Sequence, residues 1–317
     1  MLKGQILHVL DPHHREWVQG GVFAELRESS DVFASMPVYL PPPNSIKNLL
    51  KYLAAIRKIK RQENVLFSSL TPLENYLRFS NKPQLQNIGL WFTHKEGEFT
   101  RREILSLRNT DILFTHSSFQ SAKLRDVTPA KQVEITAAID RKRFKDVAIR
   151  RARLVWVGTA VDRKRPDMLL QLATELRDEK FLVLGKEWRS SRYWETLKSL
   201  KNVEYIEVNG ALTSEILEGT DIYLMTSAIE GGPMPLIETL AAGLVPICTD
   251  TGFVRKIFDE FQIDNRLIVE PSAEVISDLI SRIRSGEIFL PSNTRKKILE
   301  LDFQRLANLI IKSMLTD

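Results

Sequence analysis

Residues 228–255 read AIEGGPMPLIETLAAGLVPICTDTGFVR, and this stretch decides the fold of the second half of the chain. The apolar run before it, residues 221–225, predicts a strand. After a glycine pair, Pro235 stands at the start of a helical pattern and Gly243 just past its end, as expected for helix termini. The apolar run at residues 244–248 predicts the next strand. The stretch therefore indicates a strand, a glycine loop, a short helix and a second strand.

This corner of the chain can bind an anion. The first amides of a helix have no partner within it, and the helix dipole adds partial positive charge there. Gly231 and Gly232 let the backbone approach a ligand closely, so a phosphate would fit at this helix end. Glu230 suits the hydroxyls of a sugar, and Glu238 those of a ribose. The alternative is that Glu230 is an ordinary loop acid and Glu238 a dipole partner in the first turn.

The segment EGGPMPLIETLAAGLVPICTDTG resembles the donor-site motif of retaining GT-B glycosyltransferases of the group 1 / family 4 type, whose superfamily includes sucrose and glycogen synthases. In that family two glutamates, separated by seven residues, span the nucleotide-sugar site. The resemblance implies that Glu238 binds ribose and that Glu230 is catalytic and faces the donor sugar. It also assigns sugar and phosphate binding to the residues between them, which are Gly231, Gly232, Pro233, Met234, Pro235 and Leu236.

Two places in the first half fit the same resemblance. A strand at residues 5–10 is followed by Gly20 and Gly21, which in the family would form a loop facing the donor; a plain turn is the alternative. The run at residues 87–94 (NIGLWFTH) predicts a strand that ends in His94. The family places a strand-end histidine near the transferred sugar, so His94 is a candidate catalytic residue, although a lone histidine is more often structural.

The first strand of the second half ends at Gly158, and the resemblance makes Gly158 and Thr159 candidate donor-binding residues. The resemblance makes Lys164 a catalytic, phosphate-binding residue, flanked by Arg163 and Arg165 as further donor contacts. The alternative is that these three are ordinary surface cations. The family often has an arginine directly after the glycine, where this chain has Thr159.

Two further positions bear on the donor site. A strand ending at Val208 leads to the loop in which the family holds the nucleotide base, largely through backbone, so Val208 is a candidate donor-binding residue. Ala138 stands where the family usually has the glycine of an Asn-Gly pair. This departure and Thr159 keep open the alternative of a catalytically inactive scaffold.

Strands alternate with helices throughout, which predicts parallel sheets joined by crossover helices. We expect an α/β protein of the GT-B type, with two Rossmann-like domains facing a cleft. Residues 1–149 would form the acceptor domain and residues 150–302 the donor domain, with the final helix, 303–317, packing back onto the first. The implied reaction is retaining transfer of a sugar from a nucleoside diphosphate sugar to an acceptor glycan or glycolipid hydroxyl, as in bacterial-type surface polysaccharide synthesis. A sugar-nucleotide epimerase of the same architecture is the other alternative.

The composition of the chain limits which other classes of protein it could belong to. The 317 residues carry a net charge of +5 and are 43% hydrophobic, which suits two packed domains. The single cysteine, Cys248, lies in an apolar run, so there is no disulfide framework. No apolar run approaches the roughly 20 residues that span a bilayer, and no Asp-x-Asp triplet occurs. We therefore expect a cytoplasmic, metal-independent enzyme that has no cofactor, uses the nucleoside diphosphate sugar as its substrate and has no nucleic-acid partner.

Residues 45–61 (SIKNLLKYLAAIRKIKR) predict an amphipathic helix. One side is apolar and the other is cationic. The cationic side is either a solvated surface or a surface that meets anionic lipid or an acidic acceptor, which would place the protein at the inner face of a membrane. The apolar residues are Ile46, Leu49, Leu50, Leu53, Ile56 and Ile59.

Overall fold

The computed structural model describes residues 2–12, 18–34, 36–41, 45–78, 80, 86–93, 95, 97–145, 153–208, 210 and 212–315. The chain divides into two compact units. Unit 1 comprises Met1–Ala138 and Asp302–Asp317, and unit 2 comprises Ile139–Leu301.

Unit 1 is built on a parallel sheet with helices on both faces. Its six strands lie in the order β2-β1-β3-β4-β5-β6. The strands are β1 (Leu2–Leu10), β2 (Val38–Tyr39), β3 (Gln62–Phe67), β4 (Asn87–Trp91), β5 (Ile112–Thr115) and β6 (Lys131–Glu134). The helices between them are α1 (Val18–Glu28), α2 (Ile46–Ile59), α3 (Leu70–Arg78), α4 (Arg101–Arg108) and α5 (Ser118–Arg125).

Unit 2 repeats this plan with five parallel strands in the order β11-β10-β7-β8-β9. The strands are β7 (Leu154–Val157), β8 (Phe181–Gly185), β9 (Val203–Glu207), β10 (Ile222–Met225) and β11 (Val245–Cys248). The helices are α6 (Pro166–Glu175), α7 (Trp194–Ser199), α8 (Met234–Ala241), α9 (Val254–Phe261), α10 (Ala273–Arg284) and α11 (Thr294–Ile298). The two parallel-sheet units confirm the prediction of an α/β protein with two Rossmann-like domains.

The last helix, α12 (Phe303–Leu315), belongs to unit 1 although it follows unit 2 in sequence. The Asn87 side chain on β4 donates a hydrogen bond to the Met314 carbonyl at 2.7 Å. Two residues further along β4, a Cβ added at Gly89 would lie 3.0 Å from the Met314 sulfur, so glycine lets the helix approach the sheet. The α12 side chains Leu306 and Ile310 are buried in the same apolar cluster as Phe23 of α1.

Unit 2 begins earlier than the boundary at residue 150 expected from the sequence. The Ile139 amide donates to the Leu301 carbonyl at 2.8 Å, and the Ser214 amide donates to the Arg143 carbonyl at 3.0 Å. The Arg295 guanidinium donates to the Phe144 carbonyl at 3.0 Å. These contacts tie the crossover segment to unit 2 without a regular strand, and the sequence pattern registers only the strand that follows.

Helix α2 forms close to its expected bounds, but its apolar residues do not share one buried face. Ser45 caps it, accepting a hydrogen bond from the Asn48 amide. The buried residues are Tyr52, Ala55, Ile56 and Ile59. The first four members of the predicted apolar side are instead exposed. Among the described residues, no helix combines the length and the apolarity needed to cross a membrane.

Candidate functional site

The strand order of unit 2 contains a switch point beside β7, where the direction in which the chain adds successive parallel strands reverses. From β7 the chain runs outward through β8 and β9, and then returns to place β10 on the other side of β7. The loops after β7 and β10 therefore leave the same sheet edge side by side. In open parallel sheets, ligands bind in the crevice outside such a switch point. Lys164 lies in the first of these loops and Glu230 in the second.

Hydrogen bonds hold the two loops together. The Thr226 hydroxyl donates to the Lys164 carbonyl at 2.8 Å, and the Ala228 amide donates to the Arg163 carbonyl at 2.8 Å. The Trp156 indole of β7 in turn donates to the Thr226 hydroxyl at 3.0 Å. Because backbone groups of the first loop are fixed by the second, the side chains at the switch point are fixed relative to one another.

Glu230 lies between two cations. Its carboxylate forms an ion pair with the Lys164 ammonium and another with the Arg163 guanidinium at 3.2 Å. Only 9% of Glu230 is exposed, and its amide donates to the Thr251 hydroxyl at 2.9 Å. Burial by itself would raise the Glu230 pKa, but the charges of Lys164 and Arg163 outweigh it and hold that pKa below its ordinary value. Glu230 is therefore ionised at neutral pH and neutralises cations that could otherwise bind an anion.

Two glycines allow the backbone to pack this closely. Gly252 adopts a left-handed φ of +60°, and a Cβ there would lie 2.9 Å from the Gly231 carbonyl oxygen. At Gly158 a Cβ would lie 2.8 Å from the Trp156 ring and 3.4 Å from the Lys164 side chain. The Gly158 carbonyl also accepts a hydrogen bond from the Trp188 indole at 3.0 Å. Glycine at these positions leaves room for the loop that carries Glu230 and for the stem of Lys164.

The amino end of α8 offers fewer free amides than the sequence predicts. Helix α8 begins at Met234, and Pro233 and Pro235 have no amide hydrogen. The Leu236 amide donates to the Pro233 carbonyl at 3.0 Å, and Leu236 is fully buried. The candidate amide donors in this stretch are therefore Gly231, Gly232 and Met234.

Glu238 lies in a different environment from Glu230. It is in the second turn of α8 rather than the first, and 5% of it is exposed. One carboxylate oxygen accepts a hydrogen bond from the Leu212 amide at 3.1 Å. Burial raises the Glu238 pKa to about 7, although the Leu212 amide and the charge of Arg143 oppose the shift. The two glutamates of the motif thus differ in charge state, one held ionised by cations and the other titrating near neutrality.

The other predicted residues of unit 2 lie around this centre. Arg165 has a left-handed φ of 52° and forms an ion pair with Glu270 at 3.0 Å, whereas its neighbours Lys164 and Arg163 pair with Glu230. The Thr159 carbonyl accepts the Val161 amide at 2.8 Å, within the loop after β7. Val208 follows β9, two strands away from β7, and its amide donates to the Gly185 carbonyl at 3.0 Å.

The residues predicted in unit 1 do not lie where the sequence placed them or lie outside the described residues. Gly20 and Gly21 were expected in a loop ahead of a helix, but α1 begins at Val18 and contains both. Because α1 already begins upstream of the pair, both glycines lie inside the helix and do not mark its boundary. Strand β4 ends at Trp91, and His94 lies outside the described residues.

Sequence reasoning missed three polar groups that support the site. Thr226 joins the two loops, Thr251 accepts the Glu230 amide, and Leu212 donates to Glu238. The Thr-Asp-Thr-Gly turn at residues 249–252 was visible in the sequence, but the partner of Thr251 was not, because Glu230 lies 21 positions away. Leu212 acts through its backbone, so its residue type gives no signal. In the described part of the chain, no three His, Cys, Asp or Glu side chains are grouped as a metal site.

Comparison with known proteins identifies the family. Residues 139–300, more than half of the chain, match the family described as "Glycosyl transferases group 1". The chain belongs to this family. The glycosyltransferase TuaC of Bacillus subtilis (strain 168), named for teichuronic acid biosynthesis, is 29% identical over 139 residues. That match covers 43% of this chain and 34% of TuaC, so the chain aligns with about a third of that relative's length.

Solved structures agree with the family at the level of fold. A sucrose-phosphate synthase from Thermosynechococcus elongatus superposes with a TM-score of 0.73 at 16% identity, covering 96% of this chain and 97% of that one. The lipopolysaccharide outer core galactosyltransferase WaaB gives a TM-score of 0.62 at 15% identity, covering 98% and 99%. This likeness over nearly the whole chain confirms the predicted GT-B fold class.

Proposed function

We propose that the chain transfers a sugar from a nucleoside diphosphate sugar to an acceptor hydroxyl, with retention at the anomeric carbon. The observation that carries this proposal is the cluster of Lys164, Arg163 and Glu230 at the switch point of unit 2, beside the amino end of α8. Two cations and a helix amino end suit a diphosphate, and an adjacent carboxylate suits the sugar attached to it. Family membership supplies the reaction class.

The charges of the cluster match the demands of the reaction. As the bond between the anomeric carbon and the diphosphate oxygen breaks, negative charge grows on the leaving diphosphate. Lys164, Arg163 and the amides of Gly231, Gly232 and Met234 would stabilise that charge. The protein would therefore need neither a metal ion nor a cofactor. The leaving phosphate would itself accept the proton of the acceptor hydroxyl as the new glycosidic bond forms.

The two glutamates would act on different parts of the donor. When a diphosphate takes over Lys164 and Arg163, Glu230 would be released to orient the donor sugar and stabilise positive character at its anomeric carbon. Glu238 would accept the ribose hydroxyls. For unit 1, the proposal keeps His94 as a candidate catalytic residue and Gly20 and Gly21 as candidate donor-binding residues, on the family resemblance alone.

The names of similar proteins guide the choice of acceptor. TuaC is named for teichuronic acid biosynthesis and WaaB for the lipopolysaccharide outer core, both of which are surface glycans. We propose an acceptor of the same chemical class, a growing bacterial-type surface polysaccharide or glycolipid. Such an acceptor would place the protein in the cytoplasm at the inner face of the membrane.

The test of this function first identifies the donor and then measures its turnover. Thermal shift with UDP-, GDP- and ADP-sugars selects the donor, and transfer or hydrolysis of that donor is then measured with and without EDTA. We expect turnover that EDTA does not abolish, with the anomeric configuration of the product, read by NMR, unchanged from the donor. An inverted product would refute retention. Release of nucleotide with an altered sugar would identify an epimerase, and no turnover with any donor would indicate a scaffold.

Lys164→Ala tests the assigned role of the cluster. Removing one preorganised electrostatic contact commonly lowers turnover by about 100- to 1000-fold. Because the charge on the diphosphate grows in the transition state, we expect turnover to fall more than affinity for the free nucleotide. Lys198→Ala, an exposed lysine of the same unit, is the matched control. Equal activities for the two variants would remove Lys164 from the mechanism.

A further inference from the structure

Helix α2 turns large apolar side chains towards solvent. Ile46 is 83% exposed, Leu50 66% and Leu53 48%. Leu49 beside them is 43% exposed. A contiguous apolar patch on the surface of a protein usually marks an interaction site.

Cations accompany this apolar patch, and acids are absent from the segment. Between Ser45 and Arg61 the sequence contains no aspartate or glutamate. All six cations of this segment are exposed. They are Lys47, Lys51, Arg57, Lys58, Lys60 and Arg61. The surface therefore favours a partner that is both apolar and negatively charged.

Helical geometry separates the apolar residues from the lysines. Ile46, Leu50 and Leu53 are spaced by four and three residues, so they form one stripe along the exposed side. Lys47 and Lys51 are each one residue after a member of that stripe, about 100° further around the helix. A helix lying in a membrane interface has this arrangement, with apolar side chains in the acyl boundary and lysines reaching the headgroups.

We propose that α2 docks on an anionic phospholipid bilayer, inserting Ile46, Leu49, Leu50 and Leu53 between the lipids while the flanking lysines contact lipid phosphates. This surface, the α2 apolar patch with its cations, belongs to unit 1, whereas the proposed donor site belongs to unit 2. The charge pattern argues against a second copy of the chain as the occupant. Two such helices face to face would bring rows of like charge together, which is destabilising.

Vesicle binding tests the electrostatic half of the proposal. Co-sedimentation is measured with phosphatidylcholine vesicles, with and without phosphatidylglycerol, at low and high salt. We expect binding only with phosphatidylglycerol, weakened by salt. Each cation near such a surface contributes about fivefold, so Lys47→Gln/Lys51→Gln/Lys58→Gln should weaken binding on the order of 100-fold. The control removes the same charge from exposed lysines of unit 2, Lys180→Gln/Lys198→Gln/Lys201→Gln, and should bind like the unchanged protein.

Leucine replacement tests the apolar half. Leu50→Ser/Leu53→Ser should weaken binding by about fivefold or more for each leucine, because apolar area is no longer buried in lipid. Phe289→Ser, which alters a side chain that is 68% exposed in unit 2, is the matched control. Unchanged protein that ignores anionic vesicles at low salt, or α2 variants that bind no worse than their controls, would overturn the proposal.

A fluorescent probe separates insertion from adsorption. The one native cysteine, Cys248, is buried, so Leu50→Cys supplies an accessible thiol for an environment-sensitive dye. We expect the dye emission to shift to the blue with anionic vesicles, and no shift for a dye on Phe289→Cys. A blue shift without vesicles that grows with protein concentration would instead identify a second copy of the chain as the occupant and refute the proposal.

Discussion

Glu230→Gln is expected to affect nucleotide affinity and stability in opposite directions. In the structure the Glu230 carboxylate forms ion pairs with Lys164 and with Arg163, the two cations proposed to bind the diphosphate. A diphosphate must therefore displace a carboxylate that already holds its binding partners. Glutamine has nearly the same shape but no charge, so it would leave both cations available. We expect free UDP or GDP to bind about tenfold more tightly, which corresponds to about 1.4 kcal/mol.

The same change should make the unliganded protein less stable. Removing one partner from a buried ion pair costs about 3–5 kcal/mol, because the remaining charge is left without compensation. The Lys164 and Arg163 side chains remain 12% and 24% exposed, so water compensates in part. We therefore expect a loss of about 2 kcal/mol in the free energy of unfolding. Sugar transfer should fall as well, since Glu230 is proposed to orient the donor sugar.

Calorimetry with UDP and GDP and urea unfolding without ligand measure the two effects. Glu270→Gln is the matched control, since Glu270 forms an ion pair with the adjacent Arg165 but is 81% exposed. That control should change neither affinity nor stability by more than a few tenths of a kcal/mol. If Glu230→Gln folds and binds nucleotide no more tightly than the unchanged protein, the carboxylate does not compete with the phosphate, and the reasoning is refuted.

Three further predictions concern groups described above. If Glu238 accepts the ribose hydroxyls, as proposed, it does so more strongly as a carboxylate, and its pKa is about 7. Nucleotide affinity should therefore fall as the pH drops below 7, and titration calorimetry of Glu238→Gln should give a weaker affinity with a smaller fall over the same pH range. Burial and the charge of Arg27 lower the His8 pKa from 6.5 to about 3, so the neutral form is favoured on folding. The contribution of His8 to stability should be complete above pH 6.5 and decline from there towards pH 3, by up to about 5 kcal/mol. Urea unfolding of His8→Leu should therefore show a smaller loss of stability over this pH range than the unchanged protein. Gly252→Ala should cost more stability than Gly286→Ala, because both have a positive φ but only Gly252 has a carbonyl 2.9 Å from the added Cβ; equal losses in thermal unfolding would contradict this.

The predictions that succeeded rest on local signals. Pro235 and Gly243 delimit α8 within one residue, and Gly243 has the expected positive φ of 87°. Short apolar runs that alternate with helical patterns predicted the strands, and this alternation predicted the α/β class. Helix α4 was missed although its signal was present, since Thr100 and Glu103 form the reciprocal capping box that begins it.

The remainder depends on tertiary structure. That Lys164 meets Glu230 follows from β10 lying beside β7, and strand order cannot be inferred from periodicity. The exposed leucines of α2 could not be predicted either, because helical spacing finds an apolar stripe without saying whether a sheet or solvent faces it. The two prolines near the start of α8 were visible in the sequence, and they already limited its amide donors.

The tryptophans beside the two loops make the proposed donor site optically observable without a label. Trp156 donates to Thr226 of one loop and Trp188 to Gly158 of the other, and their ring centroids are 5.4 Å apart in an edge-to-face arrangement. At that separation the two indoles exchange excitation energy, and their emission depends on the hydrogen bonds each one makes. A ligand that moves either loop would change the intrinsic fluorescence of unit 2. Stopped-flow mixing with nucleotide could therefore follow the exchange of Glu230 for phosphate in real time.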